Sequence, residues 1–300
     1  MKVLQVNCVY NKGSTGKIMS CIAEYLAEEN IDSVICYGRG NAADAENVYK
    51  SCSELYAKFN NLFSRISGIV YGGCRFSTER LIGIIEKEKP DIVHLHCING
   101  FFVNIYKLLE WLKENKYKTV LTLHAEFMYT GGCSHAFECE KWKDEAGCSD
   151  CFQWENVINS TAHDKSAEMW AKMKTAFDGF GSNILIVSVS PWLQNRASSS
   201  TILRDFRHTA ILNGVNTENV FFCRENKLEK VRPRVLHVTA EFSTDRKHPK
   251  GGAYVIELAK RMPDVDFYIA GKCRDRDTAL ENVKYLGEIF DQSKLAEEYS

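Results

Sequence analysis

Apolar and polar positions along this chain alternate between two periods. The run "KVLQVNCV" (2–9) has the length and near-continuous apolar character of a strand buried on both faces. Ile18, Cys21, Ile22 and Tyr25 then recur at i, i+3, i+4 and i+7, which predicts a helix with that face inward. "DSVICYG" (32–38) predicts the next strand, and 54–87 reads as mostly helical with a break at Gly72-Gly73. "PDIVHLH" (90–96) and "KTVLTLH" (118–124) predict buried strands on either side of a helical stripe of Ile105, Leu108, Leu109 and Leu112. A helix containing Trp170, Met173 and Phe177 follows, then a strand "NILIVSVS" (183–190) and a helix opened by Pro191. Strand and helix in alternation predict an α/β fold, a parallel sheet with helices on both faces.

The charged stretch "CRENKLEKVRPR" (223–234) interrupts the pattern and predicts a linker over 223–233. The cycle restarts beyond it. Strand "RVLHVTAEF" (234–242) leads through "STDRKHPKGG" to a helix with Val255, Leu258, Ala259 and Met262 on one face. Strands "DVDFYIAG" (264–271) and "VKYLG" (283–287) and a helix from Asp291 complete the pattern. The expected domains are therefore 1–222, with a cysteine-rich insertion at 131–153, and 234–300.

Composition narrows the class. The chain has 300 residues, 45% hydrophobic and 26% charged, and its formal net charge of −1 supplies no basic field for nucleic acid. No apolar run is long enough to span a bilayer, and the N-terminus enters a strand without a signal-peptide layout, so a cytoplasmic location is expected. There thiols stay reduced or bind metal. Of twelve cysteines, Cys8, Cys21, Cys36 and Cys97 sit in apolar stretches and read as small core residues. Cys133, Cys139, Cys148 and Cys151 form a cluster ending in C-x-x-C, the pattern of a tetrahedral four-thiolate zinc site, with His135 as a substitute ligand and disulfides as the alternative. With all four positions filled by protein, such a zinc is structural.

The loop "NKGSTGK" (11–17) stands between a strand and a helix. It lacks both the Walker A spacing and G-x-G-x-x-G, which excludes an ordinary ATPase loop. Gly16 is still placed where backbone N–H groups can approach an anion; a tight turn without ligand is the other reading. Arg246, Lys247, Lys250 and Gly251-Gly252 pose the same pair of readings, a diphosphate clamp or a solvated basic turn. His94 and His96 alternate onto one face of their strand, and His124 ends the next one, at the edge where parallel sheets bind ligands. The segment "LYAKFNNLFSRISGIVYGG" (55–73) has the aromatic and basic mix of a membrane-surface helix, or else is an ordinary core-facing one.

Together these stretches resemble the family-4 glycosyltransferases of GT-B fold found in bacterial capsule and exopolysaccharide clusters. The resemblance runs through "NKGSTGKI", "YGRG" (37–40), "KPDIVHLHCINGFFVN" (89–104), "TLHAEFMYTGGCSH" (122–135), "CEKWKDEAGCSDC" (139–151), "LNGVNTENVF" (212–221) and "KGGAYVIELAKRMP" (250–263). It implies two Rossmann-like domains, an acceptor-side one and a donor-side one, and metal-independent, retaining transfer of a sugar from a nucleotide-diphosphate sugar to a glycan or lipid-linked acceptor. By position it implies catalytic contact of His124 with the donor sugar. Gly16, Arg246, Lys250 and Gly251 then fall at the donor diphosphate, His96 and Asn99 on the acceptor side, and the four cysteines in a structural insertion. Two departures stand out. Where relatives carry Asp after the histidine, this chain has Ala125 and then Glu126, and the Glu-x7-Glu region of the second domain is not found before Ser300. A second domain ending there is expected to leave a buried face uncovered, with self-association, and a non-catalytic glycan-, nucleotide- or partner-binding remnant of the family is the competing expectation.

Overall fold

A computed structural model describes residues 1–155, 163–222, 232–276 and 280–299. It divides into two compact units, Met1–Asn213 and Gly214–Ser300. Except for Arg232 and Pro233, the linker expected at 223–233 lies outside the described residues.

The first unit is built on β1 (Lys2–Val9), β2 (Asp32–Arg39), β3 (Val48–Lys50), β4 (Ile92–Leu95), β5 (Thr119–Leu123), β6 (Ile184–Ser188) and β7 (Arg207–Ala210). They form one sheet in the order β3-β2-β1-β4-β5-β6-β7, parallel throughout. The order reverses at β1, so the crevice between β1 and β4 is the topological switch point where such sheets take ligands. The interleaved helices are α1 (Gly13–Glu28), α2 (Glu54–Ser67), α3 (Arg75–Glu88), α4 (Ile105–Glu114), α5 (Ser166–Phe177) and α6 (Pro191–Ser198). Their starts are written locally. Ser53, Asn104 and Ser190 each accept a hydrogen bond from a backbone N–H in the first turn of α2, α4 and α6, and Pro191 opens the last of these. The α4 stripe is as expected: Ile105, Leu108, Leu109 and Leu112 are fully buried.

Two helices turn other faces inward than their apolar spacing predicts. In α1 the buried residues are Gly16, Met19 and Ser20, while Cys21 and Tyr25 are exposed, so Cys21 is not a core residue. The cause is close packing: a Cβ on Gly16 would stand 3.0 Å from the Val9 carbonyl oxygen, and small side chains let the helix lie against β1. In α2 the buried residues are Ala57, Asn60 and Ser64, so the core-facing reading of its apolar stripe does not hold.

The second unit has a parallel sheet β10-β9-β8, from β8 (Arg234–Phe242), β9 (Asp266–Cys273) and β10 (Val283–Gly287), with α7 (Gly252–Arg261) and α8 (Gln292–Glu298). Phe242, Ile256, Phe267 and Ile269 form its core. Here α7 buries Gly252, Ile256 and Ala259, leaving Leu258 and Met262 largely exposed against the expected face. Gly252 sets the approach, because a Cβ there would meet the Ser243 carbonyl oxygen at 2.3 Å. No helix among the described residues is long and apolar enough to cross a membrane.

Candidate functional site

Polar side chains gather at the C-terminal edge of β1, β4 and β5. Gln5 and Asn7 interrupt an otherwise apolar central strand, and both are fully buried. Asn7 Oδ1 accepts the Cys97 N–H at 3.1 Å, and its Nδ2 donates to the Val9 carbonyl at 2.8 Å, tying the turn after β4 to the one after β1. Gln5 Nε2 donates to the Met19 carbonyl of α1, which leaves Oε1 to accept from His96 Nε2 at 3.1 Å. His96 therefore carries its proton on Nε2. Its Nδ1, an acceptor, is buried without a hydrogen-bond partner among the described residues.

His96 stands in a row of three imidazoles. The His94 ring centroid lies 3.9 Å from it and that of His124 5.8 Å away. His94 Nε2 is 2.8 Å from Thr122 Oγ1, whereas His124 Nε2 and, beside the β5 terminus, Ser188 Oγ are buried without partners among the described residues. Burial comes first in keeping these rings neutral, and for His94 and His96 the neighbouring histidines add to it. His94 and His124 are held down to about 4 and His96 to about 2. At neutral pH this edge thus offers uncharged hydrogen-bonding groups in a dry setting, suited to hydroxyl-bearing ligands.

Asn99 is half-buried on the turn after β4. That turn is fixed from below: Gly100 has φ +125° and packs against Cys8, and its carbonyl accepts from Arg39 at 3.0 Å. Arg39 also pairs with Glu54 at 2.9 Å, so the arginine of "YGRG" holds the turn in place. Gly16 lies in the first turn of α1. The N–H groups lacking an intrahelical acceptor by position belong to Gly13, Ser14 and Thr15, just ahead of it.

The departure at Glu126 has a structural explanation. Its carboxylate is buried, pairs with Arg196 Nε at 2.6 Å and accepts from the Tyr129 hydroxyl and the Ala136 N–H. Arg196 in turn lies over the Trp142 ring at 4.8 Å. This cluster anchors the turn after His124 to α6.

Arg246, Lys250 and Gly251 belong to the second unit. The loop that carries them is pinned by Asp275, which accepts from the Ser243 hydroxyl and the Thr244 N–H. Gly251 adopts φ +70° at the start of α7, and the Arg246 and Lys250 side chains are exposed. The structure thus joins His96 and His124 in one unit and Arg246, Lys250 and Gly251 in the other.

Cys133, Cys139, Cys148 and Cys151 line one small cavity, floored by the fully buried Trp142. Burial pushes the Cys148 thiol up to about 12, and a hydrogen bond between Cys133 and Cys151 raises the first and lowers the second. The set of four sulfur donors suits zinc. As placed, however, no group of three or more His, Cys, Asp or Glu side chains among the described residues is arranged to hold a metal ion. His135 is exposed beside Phe137 and is not part of the cavity. No disulfide joins the described cysteines.

Gln5 and Ser188 were not legible as site residues from spacing, although a glutamine inside a doubly buried strand is a usable signal. No family model matches the chain, and no curated protein matches it. Solved structures do. WaaG, described as a glycosyltransferase involved in lipopolysaccharide biosynthesis, aligns with 98% of this chain and 72% of its own at TM-score 0.54 and 11% identity. TarM of S. aureus, solved in complex with fondaparinux, α-GlcNAc-glycerol and UDP, aligns with 96% of this chain and 77% of its own at TM-score 0.51 and 12% identity. The fold is that of the GT-B glycosyltransferases.

Proposed function

We propose that the chain is a family-4-type retaining glycosyltransferase, moving a sugar from a nucleotide-diphosphate sugar to a glycan or lipid-linked acceptor in cytoplasmic steps of surface polysaccharide synthesis. The observation that carries this reading is His96 Nδ1, a buried acceptor of fixed tautomer with no partner among the described residues, beside His124 at the switch point of a GT-B sheet. Sugars present hydroxyl donors, and a neutral imidazole accepts from them without placing a charge in a dry site.

In this reading 1–222 is the acceptor-side domain and 234–300 belongs to the donor side. His124 contacts the donor sugar, and His96 and Asn99 hold acceptor hydroxyls. As the anomeric bond breaks, negative charge builds on the departing diphosphate. Arg246 and Lys250, the loop at Gly251 and the N–H groups around Gly16 are the groups that would stabilise it. Fixed cations and dipoles act best on charge that develops during the step. Cys133, Cys139, Cys148 and Cys151 would hold a structural zinc that staples the 131–153 segment and takes no part in transfer.

Calorimetric titration with UDP, GDP and their sugar conjugates tests the reading. Binding of one nucleotide, weakened roughly tenfold in Lys250→Ala by loss of a charge-assisted contact, is expected. Absence of binding by every nucleotide sugar would count against it and favour the non-catalytic remnant.

A further inference from the structure

Trp192 stands 62% exposed in the first turn of α6. The Arg196 guanidinium, one helical turn further on, lies over its ring at 5.0 Å from the centroid. The same guanidinium lies over the fully buried Trp142 ring, whose indole N–H donates to the Cys139 carbonyl at 2.7 Å. Arg196 is largely buried and is itself fixed by its pair with Glu126. An exposed indole is thus tied through one arginine to a buried indole and a buried carboxylate. Cation–π contact with a guanidinium held in this way orders the exposed ring before any ligand arrives, which lowers the entropic cost of binding to it.

The place of the ring says what it can hold. Ser188, the last residue of β6, is level with Leu123, the residue before His124, and α6 begins at Pro191. Trp192 therefore stands on the same sheet edge as the histidine row. On that edge His124 Nε2 and Ser188 Oγ are the buried polar atoms without partners among the described residues. The charge of Arg196 is already committed to Glu126 and is not offered to an anion. An aromatic face beside uncharged hydrogen-bonding atoms matches a neutral pyranose. The C–H bonds on one side of such a ring are polarised by its oxygens and sit against the negative face of an indole, while the hydroxyls around its rim donate and accept.

We propose that Trp192 is a stacking platform for a neutral pyranose, the terminal sugar of the acceptor. Calling that sugar the acceptor rests on the glycosyl-transfer reading; the stacking does not. The experiment is saturation-transfer NMR on the whole chain, irradiating aromatic protons, with the methyl glycosides of β-glucose, β-galactose and α-mannose as probes. At least one should receive saturation on the C–H protons of one ring face. Its affinity should fall roughly tenfold in Trp192→Ala and return in Trp192→Phe, which keeps an aromatic face. The ring is exposed, so thermal melting and calorimetric titration with UDP and GDP sugars should be the same in Trp192→Ala as in the unaltered chain. No saturation of any of the three glycosides, or saturation that Trp192→Ala retains, would overturn the proposal. So would a Trp192→Ala chain that loses nucleotide-sugar binding or melts several degrees lower, which would assign the ring to the donor or to packing. Glycoside binding that depends on Trp192 in a chain that takes no nucleotide sugar would uphold the platform and sink the transfer reading alone.

Discussion

Gln5 determines which nitrogen of His96 carries the proton. The amide donates to the Met19 carbonyl, so its oxygen faces His96 Nε2, and the Nδ1 lone pair is left for a ligand. Nitrogen-15 NMR of the histidines should show His96 as the Nε2–H tautomer at neutral pH. Gln5→Leu removes the acceptor and strands a buried N–H, which should cost about 1–3 kcal/mol of stability. If the variant leaves both tautomer and stability unchanged, the hydrogen bond does not set the ring.

Acid should destabilise the first unit earlier than carboxylate titration alone would. His94, His96 and His124 have folded values below the ordinary 6.5, so the unfolded chain binds protons that the folded chain refuses. Their stabilising contribution is complete above 6.5 and is lost as pH falls towards about 4 for His94 and His124, and towards about 2 for His96. The limiting slope is about 1.4 kcal/mol per pH unit for each ring. Glu54, pulled to about 2 by Arg39 and the Gly40 N–H, acts in the same direction at lower pH. Urea unfolding at pH 7, 6 and 5 should give a falling midpoint, with a shallower fall in His94→Gln. A flat profile over that range would show that the rings are solvated.

The Glu126–Arg196 pair should behave as a buried one. Arg196→Met alone leaves the carboxylate without its counter-charge and should cost about 3–5 kcal/mol, whereas Glu126→Leu/Arg196→Met should recover much of the loss. Denaturant midpoints of the two variants decide this. A double variant no better than the single one would mean that Tyr129 and the Ala136 N–H hold the carboxylate by themselves.

Protein purified under reducing conditions should carry about one zinc per chain if the four sulfurs close around an ion. Chelation should then speed proteolysis within 131–153 and expose thiols to a mercurial probe, and Cys148→Ser should give the same pattern without chelator. Emission spectrometry showing well under one zinc per chain, with all thiols reduced, would leave the segment held by Trp142 and the Glu126 cluster.

The sequence was most readable where burial is two-sided. β1, β4 and β5 are near-continuous apolar runs, and α4 shows a clean stripe because both its sides are settled by packing. It was least readable where small residues set the contact. Gly16 and Ser20 rotate α1, Gly252 rotates α7, and Ala57, Asn60 and Ser64 turn α2 so that its hydrophobic side faces out. β3 and β7 escaped notice because they are short edge strands with polar residues. Among site residues, the histidines on β4 and after β5 were visible by position. Gln5 was not, since its role depends on Met19, fourteen residues away on another element.

The position of β1 also shapes the order of events at the ribosome. It is made well before one of its neighbours, β4, which begins at Ile92. At about 5–20 residues per second, β1 waits on the order of 5–20 s for that partner, with one edge open to chaperones or to the wrong strand. Nascent chains stalled before and after β4 should therefore differ sharply in protease resistance near residues 2–9. Equal resistance would show that β1 and β2 already form a protected pair.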